Sequence, residues 1–175
     1  MSDRNNEKGA ATVAQTEFVI KPETNAMTMT RVFDAPRELV FKAMTDPALI
    51  PKWWGPRAYW TKVDKMEVQL GGVWRFINGD AAGNEYGFHG VYHLVDAPAR
   101  VIQTFEFEGV PGHVALETMT LEDLGGKTRM VQQSVFQSVE DRDGMVQSGM
   151  QKGAIETNDR LAELLIELSR GGRTH

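Results

Sequence analysis

The sequence contains no cysteine, which excludes disulfides, thiolate catalysis and cysteine-ligated zinc sites. It also has no apolar run long enough to span a bilayer or to form a secretory signal, so we expect a cytoplasmic protein with no membrane partner. Basic residues are in the minority, with 19 Lys and Arg against 24 Asp and Glu. Because phosphate binding needs clustered basic residues, this balance argues against nucleic acid as a partner.

The common signatures of catalysis and metal binding are absent as well. There is no glycine-rich phosphate loop, no nucleophile elbow and no serine in an activated setting. The spacing His89-x-x-x-His93 suits metal ligands on a helix, but the segment is strand-like, and along a strand the two rings would be far apart. We therefore predict no metal and no cofactor, assign no catalytic residue, and favour a protein that is not an enzyme.

What remains is the composition of an ordinary globular protein, with 41% hydrophobic and 25% charged residues. A chain of 175 residues is long enough to bury a large core without a disulfide or metal. The polar residues 1–15 predict a disordered leader, residues 16–170 a single domain, and residues 171–175 a loose tail.

Short alternating segments predict an antiparallel sheet. Between Glu17 and Phe33 two strand fragments are interrupted by Pro22 and Asn25. Turn residues separate six further predicted strands, which are Tyr59–Val68, Val73–Ile77, Tyr86–Val95, Val101–Phe107, Val114–Leu121 and Thr128–Phe136. No crossover helix fits between these strands, which excludes a doubly wound parallel sheet.

Helical signals flank the strand-rich region. Asp34 is a candidate cap for a short helix, and a second short helix is predicted to end near Gly55-Pro56. The last segment, about Asp141–Ser169, has apolar residues at helical spacing and predicts one long helix. Its second half is rich in leucine, whereas its first half is rich in small residues, which favours close packing or open space there.

Several short motifs follow one another in a recognisable order. They are Thr30-Arg31-Val32-Phe33-Asp34-Ala35-Pro36-Arg37-Glu38-Leu39-Val40-Phe41, Thr45-Asp46-Pro47, Trp53-Trp54-Gly55-Pro56, Gly71-Gly72-Val73-Trp74-Arg75-Phe76, Gly90-Val91-Tyr92, Pro98-Ala99-Arg100-Val101 and Gly125-Gly126-Lys127-Thr128-Arg129. In these motifs the chain resembles the SRPBCC (START-like) superfamily, and within it the branch named after the activator of the ninety-kilodalton heat-shock protein ATPase. The resemblance covers about Thr28–Leu168.

The resemblance implies an α+β helix-grip fold. In this fold a curved, seven-stranded antiparallel sheet wraps around a long C-terminal helix, and two short helices follow the first strand. Members are similar in holding a hydrophobic small molecule in a cavity between sheet and helix, which makes such a molecule the expected partner. The alternatives are a polyketide cyclase- or hydrolase-like enzyme that uses an acid-base group in the cavity, and a co-chaperone-like role. An exposed strand near Phe18-Val19-Ile20 also allows a homodimer.

The residues expected to line the cavity are mainly aromatic residues, methionines and the glycines of the last helix. They are Trp53, Trp54, Trp74, Phe76, Phe88, His89, Tyr92, Phe105, Glu117, Met119, Met145, Gly149, Met150 and Gly153. For most of them, ordinary core packing is an equally valid interpretation. Adjacent residues on a helix point about 100° apart, so at most one of Trp53 and Trp54 is expected to face the cavity.

The two polar residues among them carry open alternatives. Glu117 alternates with apolar residues; facing inward it would have a raised pKa, with Arg129 or Gln132 as partners. Facing outward it would form a surface salt bridge. The segment around His89 is apolar on both faces, so the pattern does not assign its direction; facing inward, it would contact a ligand or act as an acid-base group.

Overall fold

The computed structural model describes residues 14–172, which form eight strands and three helices. The elements in chain order are β1 (Glu17–Ile20), β2 (Ala26–Phe33), α1 (Arg37–Thr45), a 3-10 turn (Ile50–Lys52), β3 (Trp60–Met66), β4 (Val73–Gly79), β5 (Glu85–Asp96), β6 (Arg100–Phe107), β7 (Val114–Asp123), β8 (Thr128–Val135), α2 (Val139–Gln147) and α3 (Met150–Gly171). Most of the predicted leader and the last three residues of the predicted tail lie outside the described residues.

The strands form one antiparallel sheet in the order β1-β2-β8-β7-β6-β5-β4-β3. The long C-terminal helix packs against this sheet, which is the helix-grip arrangement. The sheet has eight strands rather than seven because the turn at residues 21–25 separates β1 from β2, and both fragments pair. Within the described part of the chain β1 pairs only with β2, so it is an edge strand, and the homodimer through this edge stays a prediction.

The predicted long C-terminal helix is confirmed as α3, but its predicted start near Asp141 is wrong, because the segment divides into α2 and α3. Gly149 lies between them with φ of 83°, a conformation that L side chains rarely adopt and that glycine permits. Glycine thus ends one helix and starts the next within a segment whose apolar spacing is continuous. The N-terminus of α2 is capped by Ser138, whose hydroxyl oxygen accepts a hydrogen bond from the Asp141 amide at 3.0 Å. The cap predicted from Asp34 is not made, since α1 begins after Pro36 without a side-chain cap.

A buried arginine fixes α2 to the sheet. The Arg142 guanidinium donates hydrogen bonds to the backbone carbonyl oxygens of Lys21, Pro22 and Thr24 in the β1–β2 turn, with the Lys21 contact at 2.7 Å. Its Nη2 also lies 2.7 Å from Oδ1 of Asp143. Because these contacts satisfy a buried charge, α2 is held at the end of the sheet where β1 and β2 turn.

The apolar interior has a solid end and an open end along α3. Leu161, Leu164 and Leu165 in the C-terminal half of the helix are buried in the main core together with Phe33 and Leu121. The N-terminal half of α3 faces an open space instead of packed side chains. Across residues 14–172, none of the helices is at once long enough and apolar enough to cross a bilayer.

Candidate ligand-binding cavity

A cavity of about 590 Å³ lies between the sheet and the first half of α3. From α3 it is lined by Met150, Gly153, Ala154, Thr157 and Asn158. Gly153 is also where the helix approaches the loop after the 3-10 turn, since a Cβ atom there would lie 3.3 Å from Cγ of Pro56. The sequence left open whether these small residues allow close packing or open space. The structure shows both, with open space along the cavity and close packing at the loop.

Aromatic rings form one side of the cavity. The ring centroids of Trp54 lie 5.1 Å from Phe76 and 5.3 Å from Phe88, both edge to face. Trp74 lies 4.9 Å from Phe76 and 6.0 Å from Phe105. Such pairs add stabilisation beyond the area they bury. The cluster is therefore a rigid apolar surface built from β4, β5, β6 and the loop before β3.

Both tryptophans of the pair contribute to the wall, so the prediction that at most one would do so is wrong. The 3-10 turn ends at Lys52, and Trp53 has left helical geometry with φ of −139°. Nε1 of Trp53 donates to the carbonyl oxygen of Ala43 at 2.9 Å, which ties it to α1. The loop that carries Trp54 is held from the other side by Arg160, whose Nη1 donates to the Gly55 carbonyl oxygen at 2.7 Å.

Methionine is the most frequent residue type on the wall. All the methionines among residues 14–172 line the cavity, and they are Met27, Met29, Met44, Met66, Met119, Met130, Met145 and Met150. Methionine is unbranched, flexible and polarizable, which lets it adapt to irregular shapes. The sheet and all three helices supply these side chains, so the adaptable surface surrounds the space.

A short polar group interrupts this apolar wall on three adjacent strands. Glu117 on β7 accepts a hydrogen bond from Nε2 of Gln103 on β6 at 3.2 Å and another from Nε2 of Gln132 on β8 at 3.2 Å. Ser134 lies directly opposite Glu117 in the register of β7 and β8. Of the two partners predicted for Glu117, Gln132 makes the contact, whereas Arg129 pairs with Glu122 on the outer face.

Burial dominates the chemistry of the Glu117 carboxyl group. Loss of solvation raises its pKa to about 7, although the hydrogen bonds from Gln103 and Gln132 act in the opposite direction. The part of the side chain that remains accessible faces the cavity rather than the outer surface. Glu117 is thus the one carboxyl group on the described wall, and it titrates near neutral pH.

His89 does not line the cavity, and this prediction is wrong. Side chains alternate along β5, so the inward direction of Phe88 turns His89 to the outer face. There its Nδ1 lies 3.0 Å from Oε1 of Glu108, and its side chain is 43% exposed. Arg75 contacts the same carboxylate at 2.7 Å, and its hydrogen bonds are the main reason that the pKa of Glu108 is lowered. Among residues 14–172 no three His, Cys, Asp or Glu side chains are placed to hold a metal ion.

The structure places the other predicted residues around the cavity. These are Trp53, Trp54, Trp74, Phe76, Phe88, Tyr92, Phe105, Glu117, Met119, Met145, Gly149, Met150 and Gly153. The wall residues that sequence reasoning missed include the methionines of β2 and the polar residues Ser134 and Asn158. Alternation along β8 and into the residue after it contained a usable signal, since Met130, Gln132, Ser134 and Phe136 all line the cavity.

Comparisons with known proteins agree with this architecture. The family model described as "Activator of Hsp90 ATPase homolog 1-like protein" matches residues 34–166. A protein from Arthrobacter aurescens, solved by NMR in solution, has a TM-score of 0.80 at 25% identity and covers 86% of this chain and 91% of its own. A crystal structure from Rhodobacter sphaeroides has a TM-score of 0.79 at 26% identity, with coverage of 86% and 99%.

A more distant likeness shows the fold alone. Protein Ms6760 from Mycobacterium smegmatis has a TM-score of 0.79 at 22% identity, covering 86% of this chain and 96% of that one. No curated protein matches the chain in a sequence search.

Proposed function

Because the chain belongs to the Activator of Hsp90 ATPase homolog 1-like family, whose helix-grip fold it shares, we propose that it binds a hydrophobic small molecule in the cavity between sheet and α3. The observation that carries this proposal is a cavity of about 590 Å³ lined mainly by aromatic rings and methionines. Ligand sites in proteins commonly measure about 300–1,000 Å³ and combine an apolar wall with a few polar groups. Glu117, Gln103 and Gln132 are those polar groups here.

Apolar burial supplies the affinity in this proposal. A ligand that buries about 300 Å² of apolar surface gains about 7.5 kcal/mol at roughly 25 cal/mol per Å². Immobilising the ligand reduces this gain. The rigid aromatic cluster on one side keeps the ordering cost low, while the methionines adjust to the outline of the ligand.

An enzyme of the cyclase or hydrolase kind is the second candidate, and one observation favours it. A carboxyl group whose pKa is about 7 is suited to general acid-base catalysis near neutral pH, and Glu117 has this property inside the cavity. The test is mass spectrometry of a bound ligand after incubation, where chemical change with the wild type and none with Glu117→Gln would support catalysis. We prefer the binding function to a co-chaperone-like role, because the latter has only the family name as its basis.

Nile red, a neutral apolar fluorescent probe, should bind with one-to-one stoichiometry and a Kd on the order of micromolar. Met150→Trp places a larger side chain on the cavity wall, so it should weaken probe binding at least tenfold. The measurement is a fluorescence titration of each folded protein. The control is Ile155→Trp on the same helix, where the side chain is 39% exposed and outside the cavity wall. Unchanged binding by Met150→Trp, or equal loss in both variants, would contradict the assignment.

A further inference from the structure

Glu117 is an unusual residue to find on this wall. Its neighbours across the strands are the neutral Gln103, Gln132 and Ser134, and no Lys, Arg or His belongs to the described wall. A carboxylate taken out of water is costly unless a positive charge or several hydrogen bonds compensate it. Two amide donors at 3.2 Å are the compensation that the protein supplies. The ionised carboxylate thus has no cationic side chain on the cavity wall, and a cationic ligand would supply the missing positive charge.

The hydrogen-bonding groups around Glu117 still accept further donors. Both glutamines direct their NH₂ groups to the carboxylate, and within residues 14–172 their side-chain oxygens make no hydrogen bond. The register places Gln103, Glu117 and Ser134 directly opposite one another on β6, β7 and β8. An ammonium group has three donors and no acceptor, and the Glu117 carboxylate is the acceptor that matches it.

The apolar part of the wall suits the uncharged part of such a molecule. Aromatic rings bury a large apolar area against a ligand. Trp54 and Trp74 lie 6.5 Å apart in the aromatic cluster, together with Phe76 and Phe88. A molecule with an apolar body and a protonated amine would thus meet favourable partners at both of its parts.

We propose that the ligand of this cavity is a hydrophobic amine, whose ammonium group pairs with Glu117 and whose apolar body packs among the aromatic rings and methionines. This inference rests on the proposed binding function and adds the chemical class of the ligand. It also predicts discrimination, because a carboxylate ligand would bring a second negative charge beside Glu117 without a cation to separate the two.

The affinity for an amine should depend on pH, because Glu117 itself titrates near neutral pH. Glu117 has a raised pKa of about 7, so the carboxyl group is largely neutral at pH 6 and largely ionised at pH 8. The elements around the cavity contribute only Tyr59, Tyr86 and Tyr92 as further ionisable wall residues, and burial raises the pKa of Tyr92. Because an alkylamine keeps its proton throughout this range, its affinity should increase about tenfold from pH 6 to pH 8.

The experiment compares three naphthalene derivatives of similar size by isothermal titration calorimetry. They are 2-(1-naphthyl)ethylamine, 2-(1-naphthyl)ethanol and the carboxylate 1-naphthaleneacetate. At pH 8 the wild type should bind the amine roughly tenfold or more tightly than the alcohol, and the acetate most weakly. Glu117→Gln should bind the alcohol as the wild type does, while it loses the preference for the amine and the dependence on pH. Glu122→Gln, the same substitution on the outer face of β7, should behave as the wild type.

The possible results distinguish a failure of this inference from a failure of the proposed binding function. Equal affinities for amine and alcohol in the wild type, or an amine preference that survives in Glu117→Gln, would overturn the inference while leaving hydrophobic binding in place. If the three compounds and Nile red all fail to bind, the proposed function is overturned, and the inference with it.

Discussion

Replacing Glu117 with glutamine should stabilise the empty protein, and the gain should be about 2–3 kcal/mol larger at pH 8 than at pH 5. In the folded protein burial raises the pKa of Glu117 to about 7, whereas an unfolded glutamate titrates near 4.3. A raised carboxyl pKa gives stability that is complete below the unfolded value and is lost as pH rises through the folded one. Glutamine does not titrate, so it escapes this loss.

The free energy of unfolding, from urea titrations at both pH values, measures the effect. The wild type has to be compared with Glu117→Gln, because other acids change stability with pH in the opposite direction. The lowered pKa of Glu108, for example, stabilises the fold as pH rises. Glu122→Gln repeats the substitution at a solvated, 45% exposed side chain and should show little difference between the two pH values. A pH-independent effect of Glu117→Gln would mean that the carboxyl group is not desolvated in the cavity.

Gly90→Ala should destabilise the protein by roughly 2–4 kcal/mol. Gly90 lies opposite Trp74 in the register of β4 and β5. A Cβ atom at this position would lie 1.8 Å from the Thr104 carbonyl oxygen and 2.6 Å from Nε1 of Trp74. Because one of these contacts is backbone within the sheet, the strain cannot be relieved by a flexible side chain. The absent Cβ atom is what allows the Trp74 indole to lie against the sheet as part of the cavity wall.

Gly144→Ala is the matched control for this prediction. Gly144 lies within α2, and a Cβ atom there would meet no atom within 4 Å. Alanine should therefore stabilise the helix by about 0.5–1 kcal/mol, so the two substitutions should have opposite signs. Urea unfolding of both variants provides the comparison. A loss of less than about 1 kcal/mol in Gly90→Ala would contradict the close packing of Trp74 on the sheet.

Much of the sheet could be predicted from the sequence because turns and alternation are local signals. The predicted strand Val73–Ile77 corresponds to β4 (Val73–Gly79), and Val114–Leu121 to β7 (Val114–Asp123). The break between α2 and α3 was missed for a physical reason. Apolar spacing continues through Gly149, and only its backbone conformation, which spacing does not report, separates the helices.

The polar part of the cavity was harder to predict than its apolar part. Trp74 and Phe76 alternate with the outward Arg75, so their side of β4 follows from the sequence. Polar residues on a strand are ordinarily assigned to the solvent face, which is why Ser134 was missed. His89 was misplaced because β5 is apolar on both faces, and only pairing with its neighbours fixes the direction of each side chain.

The central claim is that a hydrophobic small molecule binds in the cavity between the sheet and α3, and its most direct test uses the methionines that line this cavity. With ¹³C-methyl-methionine labelling, titration of a neutral apolar ligand such as 2-(1-naphthyl)ethanol should shift the methyl signals of the cavity methionines together, with one saturating curve. If the ligand occupies the cavity, signals from β2, β7, β8 and α3 all respond, including those of Met29, Met119, Met130 and Met150. No shift at saturating ligand, or shifts confined to a single element, would contradict binding in the cavity.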